Sequence, residues 1–305
     1  MKRLITVLCL IALLTPFSAV GEGKTATWKK HTFSVDVGYI NLEQDTVPKN
    51  DTAAFIAFLR RFPNLKKVDM YSTHIGLERI EQLYAAFPDV EFGLTMVFGT
   101  DRHLLRTDAT AFSTLHGLPG TYEHNTQVFS ILKYCKNLRA LDLGHNLIDD
   151  LSFLYDLPKL RVLIVAKNKL TDITPVASLK DLEYLEIFGN NITDLSPLAG
   201  LPHLVDINMT GNRIADLSPL LSIPTLRRAW VFNHNKYAPV DPEVIAKLRE
   251  ALPETLIDDV SAGTEGGWRT GSAHYEVIHE MFKNGQGSYR PFDDVVFSEY
   301  AFPWP

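Results

Sequence analysis

NLRALDLGHNLIDDLSFLYDLP (137–158), KLRVLIVAKNKLTDITPVASLK (159–180), DLEYLEIFGNNITDLSPLAGLP (181–202) and HLVDINMTGNRIADLSPLLSIP (203–224) follow one another without a gap. Each copy is 22 residues long, so apolar residues fall into fixed columns. One column is Leu138, Leu160, Leu182, Leu204; the next is Leu141, Leu163, Leu185, Ile207. A third is Leu143, Val165, Ile187, Met209, and the copies close on Leu157, Leu179, Leu201, Ile223. The stretch L-x-x-L-x-L alternates at period two, which predicts a short strand with one buried face. A single copy cannot offset the entropy of ordering its own backbone. Stacked copies bury one another's apolar faces, and the product is a solenoid with a parallel sheet along one side.

Two polar columns complete the pattern. Asn146, Asn168, Asn190 and Asn212 stand where the chain leaves each strand, and an Asn there can pair with backbone groups that the turn leaves open. Asp150, Asp172, Asp194 and Asp216 precede a Ser or Thr by two residues, with Pro next in three copies. That order starts a tight helical turn whose free N–H groups a carboxylate can accept. Both columns are read as structural, and no metal ladder and no cofactor is expected.

The motif L-x-x-L-x-L-x-x-N-x-I-x-D-L-x-P-L-x-x-L resembles the 22-residue repeats of secreted and surface bacterial leucine-rich-repeat proteins of the internalin-like group. The segments 107–120 and Gly267-Trp268-Arg269 are similar to bacterial proteins of this kind whose function is unassigned. The resemblance implies a curved α/β solenoid, with the sheet on its concave side and helical or 3-10 turns on the other. It also implies export and recognition through the concave sheet.

Outward from the repeats the register loosens. Stepping back 22 residues from Leu157 lands on Cys135, which places that thiol in a core column as an inert small residue. Residues 64–88 carry a related unit, with Leu65, Val68 and Met70 in strand slots before a helical pattern. Phe33, Val35 and Val37 are expected to open the sheet one unit earlier, before a helix near 52–61. Residues 90–98 read as a strand and 128–134 as a helix, with a long polar loop over 99–124. Loops of that length inside a solenoid are often functional. After a fifth strand pattern His234 takes the Asn slot and Lys236 a core slot, so the array is ending there. A helix over 242–251, a mobile Gly-rich link over 261–272 and an aromatic tail with Tyr289, Phe292, Phe297, Tyr300, Phe302 and Trp304 follow. The tail is expected to cap the last repeat. The domain boundaries are thus 1–21, 22–136, 137–236 and 237–305.

The first of these segments reads as a secretory signal. Lys2 and Arg3 precede an apolar run over 4–14, then Pro16 and the small residues Ser18, Ala19 and Gly21. The run is shorter than the ~20 residues that span a bilayer, so no transmembrane segment is expected after cleavage. Cys135 would then be the only cysteine, which excludes an internal disulfide. The formal net charge is −6, a poor basis for gripping nucleic acid, which needs clustered cations.

Function is expected on the outward columns of the strands. The first reads Ala140, Val162, Tyr184, Asp206, Arg228; the second Asp142, Ile164, Glu186, Asn208, Trp230; the third Gly144, Ala166, Phe188, Thr210, Phe232. Tyr184, Phe188, Trp230 and Phe232 would share one concave patch with Asp142, Glu186 and Asp206. Aromatic side chains on a rigid sheet are typical interface anchors. The patch is read as the contact surface of a monomeric binding module whose partner is a protein or another surface macromolecule. The competing reading has the C-terminal tail covering the patch within the same chain. Two alternatives differ in class. A self-associating cell-envelope protein would show no outside ligand. A carbohydrate-active enzyme would use Asp142 and Glu186, but two strands separate them by about 10 Å, beyond the usual spacing of such pairs. No nucleophile elbow, phosphate loop or metal-binding His pair at helical spacing stands in the sequence, so a non-enzymatic role is expected.

Overall fold

The computed structural model describes residues 23–47, 51–99, 102–114, 124–233 and 240–285. The N-terminal signal, His234, Lys236 and the aromatic tail lie outside the described residues.

The repeat columns become a parallel sheet. Strands β8 (Ala140–Asp142), β9 (Val162–Ile164), β10 (Tyr184–Glu186), β11 (Asp206–Asn208) and β12 (Arg228–Trp230) pair in sequence order. Their register is the 22-residue step itself: Val162 pairs with Tyr184, Tyr184 with Asp206 and Asp206 with Arg228. The inward Leu column is fully buried, and each of β8 to β11 is followed by a 3-10 turn on the opposite side, such as Thr174–Ser178 and Ser218–Ser222. Two more strands extend the sheet to seven, β7 (Ala111–Ser113) beside β8 and β13 (Leu256–Asp258) beside β12.

The polar columns hold the turns. The Asn190 amide donates to the carbonyls of Val165 (3.0 Å) and Ile187 (2.9 Å), while its oxygen accepts from Leu170 N–H at 3.1 Å. Asn168 and Asn212 make the same bonds one copy away, and all four Asn side chains are buried. Each Asp of the other column accepts from the Ser or Thr two residues on, as Asp194 does from Ser196 N–H at 2.8 Å. These bonds to N–H and hydroxyl donors hold the Asp172, Asp194 and Asp216 carboxyls below the usual range.

The N-terminal part departs from the 22-residue plan. A hairpin of β1 (Thr25–Trp28) and β2 (His31–Ser34) precedes a four-stranded sheet. That sheet orders β3 (Tyr39–Asn41), β4 (Lys67–Ile75), β5 (Glu91–Phe98) and β6 (His103–Arg106), with α1 (Thr52–Leu59) and α2 (Leu77–Ala86) as crossovers. Phe33 therefore does not open the main sheet. It pairs with Ala26 across the hairpin, because the short link at residues 29–30 reverses the chain. The 99–124 segment is also not one loop: it contributes antiparallel β6 and then β7, which starts the long sheet.

Two cores result. The larger runs through both sheets beneath the helices and 3-10 turns and includes Cys135, whose thiol burial pushes well above its usual range. Arg106 is buried inside it, forked onto Asp108 (2.7 and 2.8 Å) and bonded to Asp69 at 3.0 Å. The smaller core lies on the other side of the long sheet, where solvent was expected.

A strap and a helix over the outer face of the sheet

The residues that form this second core come from the sheet and from the chain beyond it. After α3 (Pro242–Ala251) and β13, residues 261–272 run back across the outward columns, and α4 (Ala273–Gly285) packs against β7 and β8. The Gly-rich stretch is thus a built strap, not a mobile link. Its turns use left-handed backbone at Gly263, Gly266, Gly267 and Gly271, which a side chain would strain.

Trp268 is the anchor and is fully buried. Its ring lies 5.2 Å from Tyr184 and 5.0 Å from Trp230, centroid to centroid. Its indole N–H donates to Glu186 Oε1 at 2.6 Å. Arg269 follows immediately and forks onto Glu186, with Nε donating to Oε1 at 3.0 Å and Nη2 to Oε2. The Tyr184 hydroxyl also donates to Glu186. Burial pulls the Arg269 pKa down, but the hydrogen bonds and charge of Glu186 outweigh it and leave the guanidinium more firmly protonated than usual.

Asp206 is the second attachment point. Its Oδ2 accepts from Arg228 Nε at 2.9 Å and meets His274 Nδ1 at 2.7 Å. Arg228 is held in place on its other side by stacking over the Trp268 ring at 4.6 Å. Backbone bonds complete the strap: Asn208 Nδ2 donates to Gly263 O (2.6 Å), Gly263 N–H to Thr210 Oγ1 (3.0 Å) and Trp230 Nε1 to Glu265 O (3.1 Å).

Asp142 stands apart from these pairs. It is buried, accepting from Gly144 N–H at 3.0 Å and from Ser113 at 3.4 Å. Burial pushes its carboxyl up to about 7, while the Gly144 bond and the charge of Arg269 act in the opposite direction.

The expected patch therefore exists as a cluster but not as an open surface. Asp142, Tyr184, Glu186 and Asp206 are 0% exposed, Trp230 2% and Phe188 6%, because the strap and α4 lie over them; Phe232 is half-buried. The cover comes from residues 261–285 of the same chain, so the competing reading is nearer to what is found, with the strap and α4 as the covering segment. Trp268, Arg269 and His274 were missed as partners of the patch. A signal existed: carboxylates in adjacent outward columns need cations, and the chain offers a Trp-Arg pair shortly after the array.

Beside the strap a cleft of about 450 Å³ remains. Its floor is Ala166 and Phe188, its far wall the strap from Ala262 to Glu265. The near wall is the row of residues just after each strand, His145, Lys167, Gly189 and Gly211, all with positive φ. The last two residues of the row are glycines, and a Cβ on Gly189 would lie 3.1 Å from Lys167 Cγ. His145 and Lys167 are exposed on this rim. Burial, then the charges of Lys167 and Arg269, lower the His145 pKa.

A family model described as leucine-rich repeats (two copies) matches residues 136–180 and 180–222. No curated protein matches the sequence. Among solved structures, internalin C2 of Listeria monocytogenes is similar at 23% identity over 74% of this chain and 81% of its own, with a TM-score of 0.39. A second Listeria monocytogenes internalin, inlF, aligns at 18% identity over 68% of this chain and 71% of its own, with a TM-score of 0.37. A leucine-rich-repeat protein of Leptospira interrogans aligns at 18% identity over 72% of this chain and 54% of its own, with a TM-score of 0.38.

Proposed function

Residues 136–222 are leucine-rich repeats, and from that premise we propose that this chain is an exported binding module that takes a protein partner on the outer side of its sheet. Repeats of this kind generally serve as protein-interaction modules. The observation that carries the reading is that this face already holds polypeptide. It holds the strap through a buried Trp, a forked guanidinium–carboxylate pair and backbone hydrogen bonds, the means by which protein interfaces hold a partner.

The surface left open to a partner is the rim of the cleft, with His145 and Lys167 exposed above an apolar floor. Contact begins there, next to the strap, and the role is recognition, not catalysis. Export rests on the apolar leader over 4–14. Among the described residues no helix is long and apolar enough to cross a membrane.

The test is affinity capture from host and bacterial surface extracts. Wild type is set beside His145→Glu/Lys167→Glu and Trp268→Ala/Arg269→Ala, each checked for folding by circular dichroism. A partner held by wild type and lost by the rim variant supports the reading. A partner held more tightly once the strap contacts are removed means that strap and partner compete. Identical capture by all three proteins sinks the outer-face assignment. Mass spectrometry of the secreted protein checks export, with an N-terminus at Glu22 expected.

A further inference from the structure

Two buried histidines meet where the four-stranded sheet joins the repeats. His103 opens β6, and His124 lies just before the 3-10 segment Thr126–Tyr134. Their Nε2 atoms are 3.2 Å apart, and the two residues are only 7% and 4% exposed. Phe98 and Phe112 stand against the first ring and Phe129 against the second. Beneath the pair the chain turns at Gly99, where φ is +71 and a Cβ would lie 3.3 Å from both rings.

The two rings are delivered by different parts of the fold. β6 is pinned to β5 through the Phe98–His103 pair. His124 is pinned to the first repeat, its N–H donating to Asn146 Oδ1 (3.1 Å) and its carbonyl accepting from Leu147 N–H (2.9 Å). Two independent elements thus bring the same ring nitrogen of each histidine to within 3.2 Å of the other. Two nitrogens bound to one tetrahedral zinc at ~2.0–2.1 Å are roughly 3.4 Å apart. The observed spacing needs only a few tenths of an ångström of adjustment.

We propose that His103 and His124 form a two-histidine site for a divalent late first-row metal ion such as zinc. Imidazole nitrogen is a ligand these ions favour. Among the described residues no group of three or more His, Cys, Asp and Glu converges on a metal position, so the described residues supply two ligands. Two imidazoles hold an ion less tightly than a closed four-ligand site. Once bound, it ties the four-stranded sheet to the repeat array, which raises thermal stability.

The test uses the full chain without a histidine tag, titrated with zinc by calorimetry and with cobalt by visible absorption. One equivalent of metal is expected, with a cobalt ligand-field band and a higher unfolding temperature. All three are absent in His103→Gln and in His124→Gln. No uptake by the wild type means the contact is an N–H···N hydrogen bond alone and overturns the site. So does equal uptake by wild type and both variants, which places the metal on other histidines. Should a Gln variant fail to fold, X-ray absorption on the cobalt-loaded wild type counts its imidazole ligands. Two support the site and none overturns it.

Discussion

Arg269 and Glu186, 83 residues apart in the chain, form a two-bond fork that fastens the strap to the outer face of the repeat sheet. Removing the cation leaves a fully buried carboxylate with Tyr184 and Trp268 as its remaining donors among the described residues. Arg269→Ala is therefore expected to cost about 3 kcal/mol, the scale for breaking one side of a buried pair. Urea unfolding followed by circular dichroism measures it. A loss below about 0.5 kcal/mol would mean that the fork behaves as a surface pair.

Helix α4 is seated by a glycine. A Cβ on Gly285 would fall 2.6 Å from Ala111 Cβ and 2.9 Å from its backbone nitrogen. Gly285→Ala forces the helix end away from β7, at a cost of about 1–3 kcal/mol. Hydrogen exchange should quicken along α4 while the 3-10 turns on the opposite side keep their protection. Unchanged exchange in α4 would show that the helix end tolerates the shift.

The Asn column is expected to matter more than the Asp column. Asn190→Ala strips buried donors and acceptors of their partners in two adjacent copies and should cost about 2–4 kcal/mol. Asp194→Ala removes an exposed turn contact and should cost less. Chemical denaturation of the two variants side by side decides the order, and a larger loss for Asp194→Ala would contradict it.

Asp142 gives the fold a pH dependence of definite sign. Its folded pKa of about 7 lies above the ~3.9 of an unfolded Asp. The folded state thus holds a proton that the unfolded chain gives up between those values. The stabilisation is complete below about pH 4 and is lost as pH rises through about 7, with a slope of up to about 1.4 kcal/mol per pH unit. Asp142→Asn can keep the bond from Gly144 and removes the titration, so its stability should fall less from pH 5 to pH 8. Parallel stability curves for the two proteins would remove Asp142 as the source.

The parts of the fold that were readable share one property, which is that their signal is local and repeated. Strands β8 to β12, their register and the Asn turns follow from 22-residue columns, because each copy packs on its neighbour in the same way. The helix Pro242–Ala251 was readable from its periodicity, and Asp241 caps it by accepting from Glu243 N–H. Strands β6 and β7 were not readable. They are three or four residues long, and β7 is buried on both faces, so no alternation marks it.

The same distinction separates the candidate site from its cover. The sequence alone determined which residues share the outward face, since a strand's alternation and the repeat period assign Tyr184, Glu186, Asp206 and Trp230 to adjacent columns. Only the tertiary structure decided what that face meets. Trp268 and Arg269 reach Glu186 across 82 and 83 residues, and His274 reaches Asp206 across 68. A single contact at such separation leaves no period in the chain. It forms because buried carboxylates and exposed rings are costly until a cation and an indole of the right shape fold onto them.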